Sequence, residues 1–171
     1  MKKSHLKHII KEIIKEEIDG PGIFVPHDLE GRKEKKTMMD YKKIQDYIKN
    51  GSKGNLNLEN SQITKLPDNL QVVGGSLYLG NNIQITELPN NLTVGGYLDL
   101  LNTPIQKLPD NLKVNNSLFL KNSQITELPD NLKVGGSLWL HDTPLSNKYP
   151  EEEIRDIIER QGGNVGGDIK I

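Results

Sequence analysis

The sequence predicts an α+β solenoid: one parallel β-sheet of about six short strands, N-terminal helices ahead of it, and a C-terminal capping helix plus final strand. Three observations lead there. Leu-x-Leu pairs recur at Leu56/Leu58, Leu77/Leu79, Leu98/Leu100, Leu118/Leu120 and Leu138/Leu140, in steps of 21, 21, 20 and 20 residues. A second phrase, Leu-Pro-[Asp/Asn]-Asn-Leu, follows the first four pairs, starting at 66, 88, 108 and 128. Before Asn55 the apolar spacing is helical instead, and near the C-terminus it becomes helical again.

The elements follow in chain order. Residues 1–20 read as an amphipathic helix, with Leu6, Ile9, Ile10, Ile13, Ile14 and Ile18 on one face, Ser4 as N-cap and Gly20-Pro21 as stop. Residues 21–36 read as a Gly/Pro-punctuated connector ending in the charged run "RKEKK", solvated rather than nucleic-acid binding because Glu34 interrupts it. Residues 37–51 read as a short N-capping helix with the stripe Tyr41, Ile44, Tyr47 and Ile48, and Gly51 suited to its C′ position. Residues 52–149 are the solenoid. In each unit the Leu-x-Leu pair is a strand with alternate residues inward. The Leu-Pro turns the chain away from the sheet, and paired glycines, as in "VGG", are expected at positive φ in the corner before the next strand. Extra residues in "QVVGG" (71–75) and "GNNIQI" (80–85) fall outside the pairs, where a loop bulges without shifting register. Residues 150–171 read as a cap: Glu151–Glu153 suit a helix N-terminus, Ile154, Ile157 and Ile158 form a face, Gly162 suits C′, and Ile169/Ile171 supply a last inward pair.

Repetition has a physical reason. One unit offers about six inward aliphatics, for example Leu98, Leu100, Ile105, Leu108, Leu112 and Val114. Their burial alone does not offset the ordering of some twenty backbones, so coils must stack and share strand hydrogen bonds.

Composition narrows the chemistry. The chain has no cysteine, which excludes disulfides, thiolate metal sites and cysteine nucleophiles, and makes a cytoplasmic location the expectation. Net charge is −1, with no pull toward nucleic acid or an anionic membrane. No apolar run is long enough for a membrane span, and Lys and Glu interrupt the isoleucines of "MKKSHLKHIIKEIIKEEI", so a signal peptide is not expected. Phosphate-loop, zinc-protease and serine-hydrolase motifs are all missing.

"LDLLNTPIQKLP" (98–109) and "LFLKNSQITELP" (118–129) resemble the leucine-rich repeat, in the short 20–21-residue variety of secreted bacterial effectors. The likeness covers residues 55–171 and implies a right-handed solenoid that binds other proteins on its sheet face. Two departures stand out: Thr103, Ser123 and Thr143 occupy the position that is usually Asn, and Val-Gly-Gly replaces the Leu that usually opens the strand segment. Some such effectors carry a cysteine ubiquitin ligase domain, an activity that does not carry over to a chain without cysteine. The opening helix is also similar to N-termini of small proteins of marine tailed phages.

If Leu98 and Leu100 point in, Tyr97, Asp99 and Leu101 point out, and every coil contributes to a three-column grid. The first column is Asn55, Ser76, Tyr97, Ser117 and Ser137; the middle is Asn57, Tyr78, Asp99, Phe119 and Trp139; the third is Glu59, Gly80, Leu101, Lys121 and His141. Outward Tyr, Phe and Trp are the residues interface hot spots use, so Tyr78, Tyr97, Asp99, Leu101, Phe119, Lys121, Trp139 and His141 are the candidate binding residues. Two alternatives stay open: cross-strand packing that only stabilises the sheet, and coverage of the grid by the N-terminal helices. The Asp-Asn and Asn-Asn pairs at 68–69, 90–91, 110–111 and 130–131 invite a cation, but a repeated turn that satisfies its own backbone is the more ordinary reading. His141-Asp142 lacks a placed nucleophile, and neighbouring strand residues face opposite ways. The expected function is therefore a non-enzymatic protein-binding repeat module without cofactor, metal, nucleic acid or membrane partner. The alternative is a structural subunit of a larger, possibly phage-related assembly, self-associating or docking through Leu6, Ile9, Ile10, Ile13 and Ile14.

Overall fold

A computed structural model describes residues 31–171, with side chains from Lys36 onward. The expected helix at 1–20, with its apolar face and Ser4, lies outside the described residues.

From Leu56 the chain winds as a solenoid of parallel strands. The Leu-x-Leu pairs form β1 (Leu56–Asn57), β3 (Leu77–Tyr78), β5 (Leu98–Asp99), β7 (Leu118–Phe119) and β9 (Leu138–Trp139), and β11 (Ile169–Lys170) completes a six-stranded sheet in the order β1-β3-β5-β7-β9-β11. Leu56, Leu77, Leu98, Leu118, Leu138 and Ile169 stand in register. The six expected strands are therefore present. A second sheet was not expected. The residue pairs just before the corner form β2 (Val72–Val73), β4 (Thr93–Val94), β6 (Lys113–Val114), β8 (Lys133–Val134) and β10 (Asn164–Val165), also all parallel. In each of these the valine is buried and the residue before it faces outward or partly outward.

The core is the repeated aliphatic set, and Leu98, Leu100, Ile105, Leu108, Leu112 and Val114 are all buried. The polar column Ser61, Asn82, Thr103, Ser123 and Thr143 is buried with them. Thr103 Oγ1 donates to the Leu100 carbonyl at 2.8 Å and Thr143 Oγ1 to that of Leu140 at 2.9 Å, so these hydroxyls satisfy backbone at the strand exit. The extra residue near 83 pushes Ile83 out, 69% exposed, while Leu77 and Leu98 keep their register.

The paired glycines play a different role from the one expected. Among the described glycines only Gly51, Gly54 and Gly162 have positive φ. At the corner pairs the need is close approach: a Cβ on Gly95 would lie 2.2 Å from the Gly74 carbonyl oxygen, and one on Gly96 would lie 2.4 Å from Ser76 Oγ. Left-handed corners fall instead to asparagine, which tolerates them: Asn60, Asn81, Asn102 and Asn122 after one sheet, Asn91, Asn111 and Asn131 before the other.

Both ends of the stack are closed. Helix α1 runs from Gly31 to Lys49, so the charged run assigned to a connector is helical from residue 31. Residues 32–49 hold neither Gly nor Pro and are rich in Lys, a good helix former. Tyr41 and Ile44 are buried, and Lys36 and Lys43 donate to the carbonyls of Asn60 and Asn57, beside and within edge strand β1. Gly51, φ 79°, ends the helix in a Schellman motif: its N–H donates to Ile48, and that of Ser52 to Tyr47. At the other end, α2 (Pro144–Lys148) and α3 (Glu151–Arg160) interrupt the last coil. Helix α3 buries Ile154 and Ile158, and Arg155 reaches the carbonyls of Val165 and Gly167 at 3.4 and 3.3 Å. The short α2 was not expected, although "TPLS" carries its signal: Thr143 and Ser146 form a capping box around Pro144.

Candidate protein-binding face

The outward side of the six-stranded sheet is built by register. In the middle column Tyr78, Asp99, Phe119 and Trp139 occupy equivalent places in neighbouring strands, and Lys170 follows Trp139. Alternation in the strand turns the leucines on either side inward, so each of these side chains is left half-buried on the outer face. The rings meet as the spacing predicts. Phe119 and Trp139 stack with centroids 5.9 Å apart and planes 24° from parallel. Tyr97 tilts against Phe119 at 6.0 Å, and His141 against Trp139 at 5.9 Å. Four of the candidate residues thus form one continuous aromatic run, Tyr97–Phe119–Trp139–His141, along the sheet. Tyr97 is 42% exposed. Helix α1 packs on the β1 end, through buried Tyr41 and Ile44 and the Lys36 and Lys43 contacts to the Asn60 and Asn57 carbonyls.

The first column is largely structural. Ser76 Oγ accepts the Tyr97 N–H at 3.0 Å, Ser117 Oγ that of Ser137 at 3.1 Å, Ser137 Oγ that of Asp168 at 3.3 Å, and Asn55 Oδ1 that of Ser76 at 2.8 Å. These side chains hold successive coils together. Tyr97 is the exception in that column and belongs to the aromatic run.

Asp99 is the acidic member. Burial pushes its carboxyl above the ordinary value, the Leu101 N–H opposes by donating to Oδ1 at 2.9 Å, and the charge of Glu59 adds to the rise. No cation pairs with it among the described residues. Leu101 lies beside it, half-buried, and Lys121 turns toward Asp142, 4.0 Å away. Tyr78 flanks Asp99 on the β3 side without a ring contact to the aromatic run.

The Asp-Asn pairs divide. Asn91, Asn111 and Asn131 adopt φ of 55–59° and pass amide hydrogen bonds from coil to coil at 3.2 Å, the repeated turn in its backbone-satisfying form. Asp110 Oδ1 accepts the Asp130 N–H at 3.2 Å. No group of three or more metal-ligating side chains occurs among the described residues. His141 packs on Trp139, while Asp142 sits in a left-handed corner with φ 58°. A second ladder, Asn81–Asn102–Asn122 at 2.7 and 2.8 Å, was missed by the sequence reading, although those asparagines share the period of 20–21 residues.

No family model, curated protein or solved structure matches the chain. No described helix is long and apolar enough to cross a membrane.

Proposed function

We propose that the chain is a non-enzymatic protein-binding module of the leucine-rich-repeat kind, and that the outer face of its six-stranded sheet is the binding surface. The observation that carries this reading is the continuous run Tyr97–Phe119–Trp139–His141, held on a rigid parallel sheet whose inner side is fully committed to the core. Aromatic side chains preorganised by stacking lose little freedom on binding and supply the desolvated centre of an interface. The partner fitted to this face presents an apolar side chain to Phe119 and Trp139 and a cation to Asp99, whose half-buried carboxylate pairs with none among the described residues. The repeat phrase "LFLKNSQITELP" supports the family, and the lack of cysteine supports a reducing interior as the working location.

Trp139 is the chain's single tryptophan, so its fluorescence reports on this face. Acrylamide should quench it readily in the free protein, and the emission should shift when a partner captured from the native source is added back. Phe119→Ala with Trp139→Ala should weaken that binding by about 2–4 kcal/mol while the fold persists. A blue-shifted, unquenchable Trp139 in the isolated monomer would mean that the chain covers its own aromatic run, and the assignment would be abandoned.

A further inference from the structure

We propose that the other sheet carries an independent binding site for a compact oxyanion of the phosphate class, built by Lys113 and Lys133 against the Asn91–Asn111–Asn131 ladder. The site follows from register. Lys113 and Lys133 are Cα partners in β6 and β8, so their side chains leave the sheet in the same direction about 4.8 Å apart. Both are exposed, and neither forms an ion pair among the described residues. Like charges directly opposite one another in a sheet repel, so this pair weakens the sheet unless an anion lies between them.

The surroundings are those of an anion site. Asn91, Thr93, Asn111, Lys113, Asn131 and Lys133 line a cavity of about 500 Å³, and no carboxylate is among them. Within the ladder Asn111 and Asn131 each donate through Nδ2 to the preceding Oδ1. An amide nitrogen carries two protons, so one remains on each of these residues after the ladder has formed, and both remain on Asn91. The Thr93 hydroxyl adds a further donor. The nearby acids are directed elsewhere: Asp110, Glu127 and Asp130 line a separate concavity with Lys107, and Lys107 pairs with Glu127 at 2.6 Å. Among the described residues the asparagine ladder thus has acid on one side and cationic and neutral polar groups on the other. Two ammonium groups with several neutral donors match a tetrahedral oxyanion, whose oxygens accept in several directions at once.

The test uses the full chain and inorganic phosphate, with O-phosphoserine as a second probe, at constant ionic strength set by sodium chloride. Side-chain amide resonances of Asn91, Asn111 and Asn131 should shift saturably with phosphate, and those of Asn81, Asn102 and Asn122 should not. Lys113→Gln with Lys133→Gln should lower phosphate affinity by at least about tenfold, with far-UV circular dichroism unchanged. Lys133→Gln alone serves should the double variant fold poorly. Saturable binding of either probe supports the site, and tighter binding of the ester points to a phosphorylated molecule over the free ion. Shifts no larger than sodium chloride produces, or shifts that survive removal of both ammonium groups, would overturn it.

Discussion

At the scale of single residues, alternation in a two-residue strand decides fate. Leu100 is fully buried between coils, whereas Thr93 is half-buried and directed outward from β4. Leu100→Asp places an unpaired charge in the core and should cost more than the about 2–5 kcal/mol of a core truncation, which is enough to unfold the stack. Thr93→Asp should leave the thermal transition within a few degrees of the original, its carboxylate lying beside Lys113. Equal losses of melting temperature from the two variants would mean that the inward and outward faces are exchanged. Asp99 gives the pH-dependent case. Its folded pKa is raised, so the folded chain takes up this proton more readily than the unfolded chain. The group's contribution to stability is therefore present below the unfolded value and is lost as pH rises through the folded one. Asp99→Asn should make the protein more resistant to urea near neutral pH, with the advantage vanishing in acid. An advantage that persists in acid would mean that charge at this position is not its source.

At the scale of elements, the ends carry what the repeats cannot supply themselves. A terminal strand leaves backbone groups without a neighbouring coil, and α1 answers this with Lys43 on the Asn57 carbonyl and Tyr47, whose hydroxyl lies 2.8 Å from the carbonyl oxygens of Ser52 and Gly54. Ile44, with no exposed surface, anchors the helix to the first coil. Ile44→Ala should cost about 2–4 kcal/mol, and amide exchange should accelerate first at Leu56 and Leu58, whose N–H groups donate to Ser76 and Tyr78. Uniform acceleration across all strands would show that the stack opens as one unit instead of fraying from its end. The C-terminal cap works by another route: α3 is ended by Gly162, φ 76°, in a Schellman motif, and Arg155 takes up the outward carbonyls of the last coil.

For the whole molecule, each coil contacts chiefly its neighbours, so stability should be shared along the stack. Because α1 already closes the first coil, removing residues 1–20 should leave the cooperative thermal transition of the solenoid in place while changing association, measured by sedimentation. A transition lowered by tens of degrees would make that segment part of the folded core. The sequence by itself determined the solenoid, its period, the order of the outward columns and its inward residues except Ile171, which as the last residue after β11 is 43% exposed, because side-chain direction in a strand alternates strictly and a 20–21-residue period stacks like on like. Charged helix formers read as connector because local composition does not reveal what an end coil needs from its neighbours, whereas the short α2 has a local signal in Thr143, Pro144 and Ser146. Only the tertiary structure decided that a second sheet forms at Val73, Val94, Val114, Val134 and Val165, since a two-residue strand exists through its partner in the next coil and has no periodicity of its own. It also decided that Gly95 and Gly96 are needed for approach between coils and not for their own φ, that the outward serines serve the backbone while the rings stay on the surface, and that Lys113 and Lys133 stand side by side. Each of these is a distance between residues some twenty positions apart, set by how tightly one coil lies on the next.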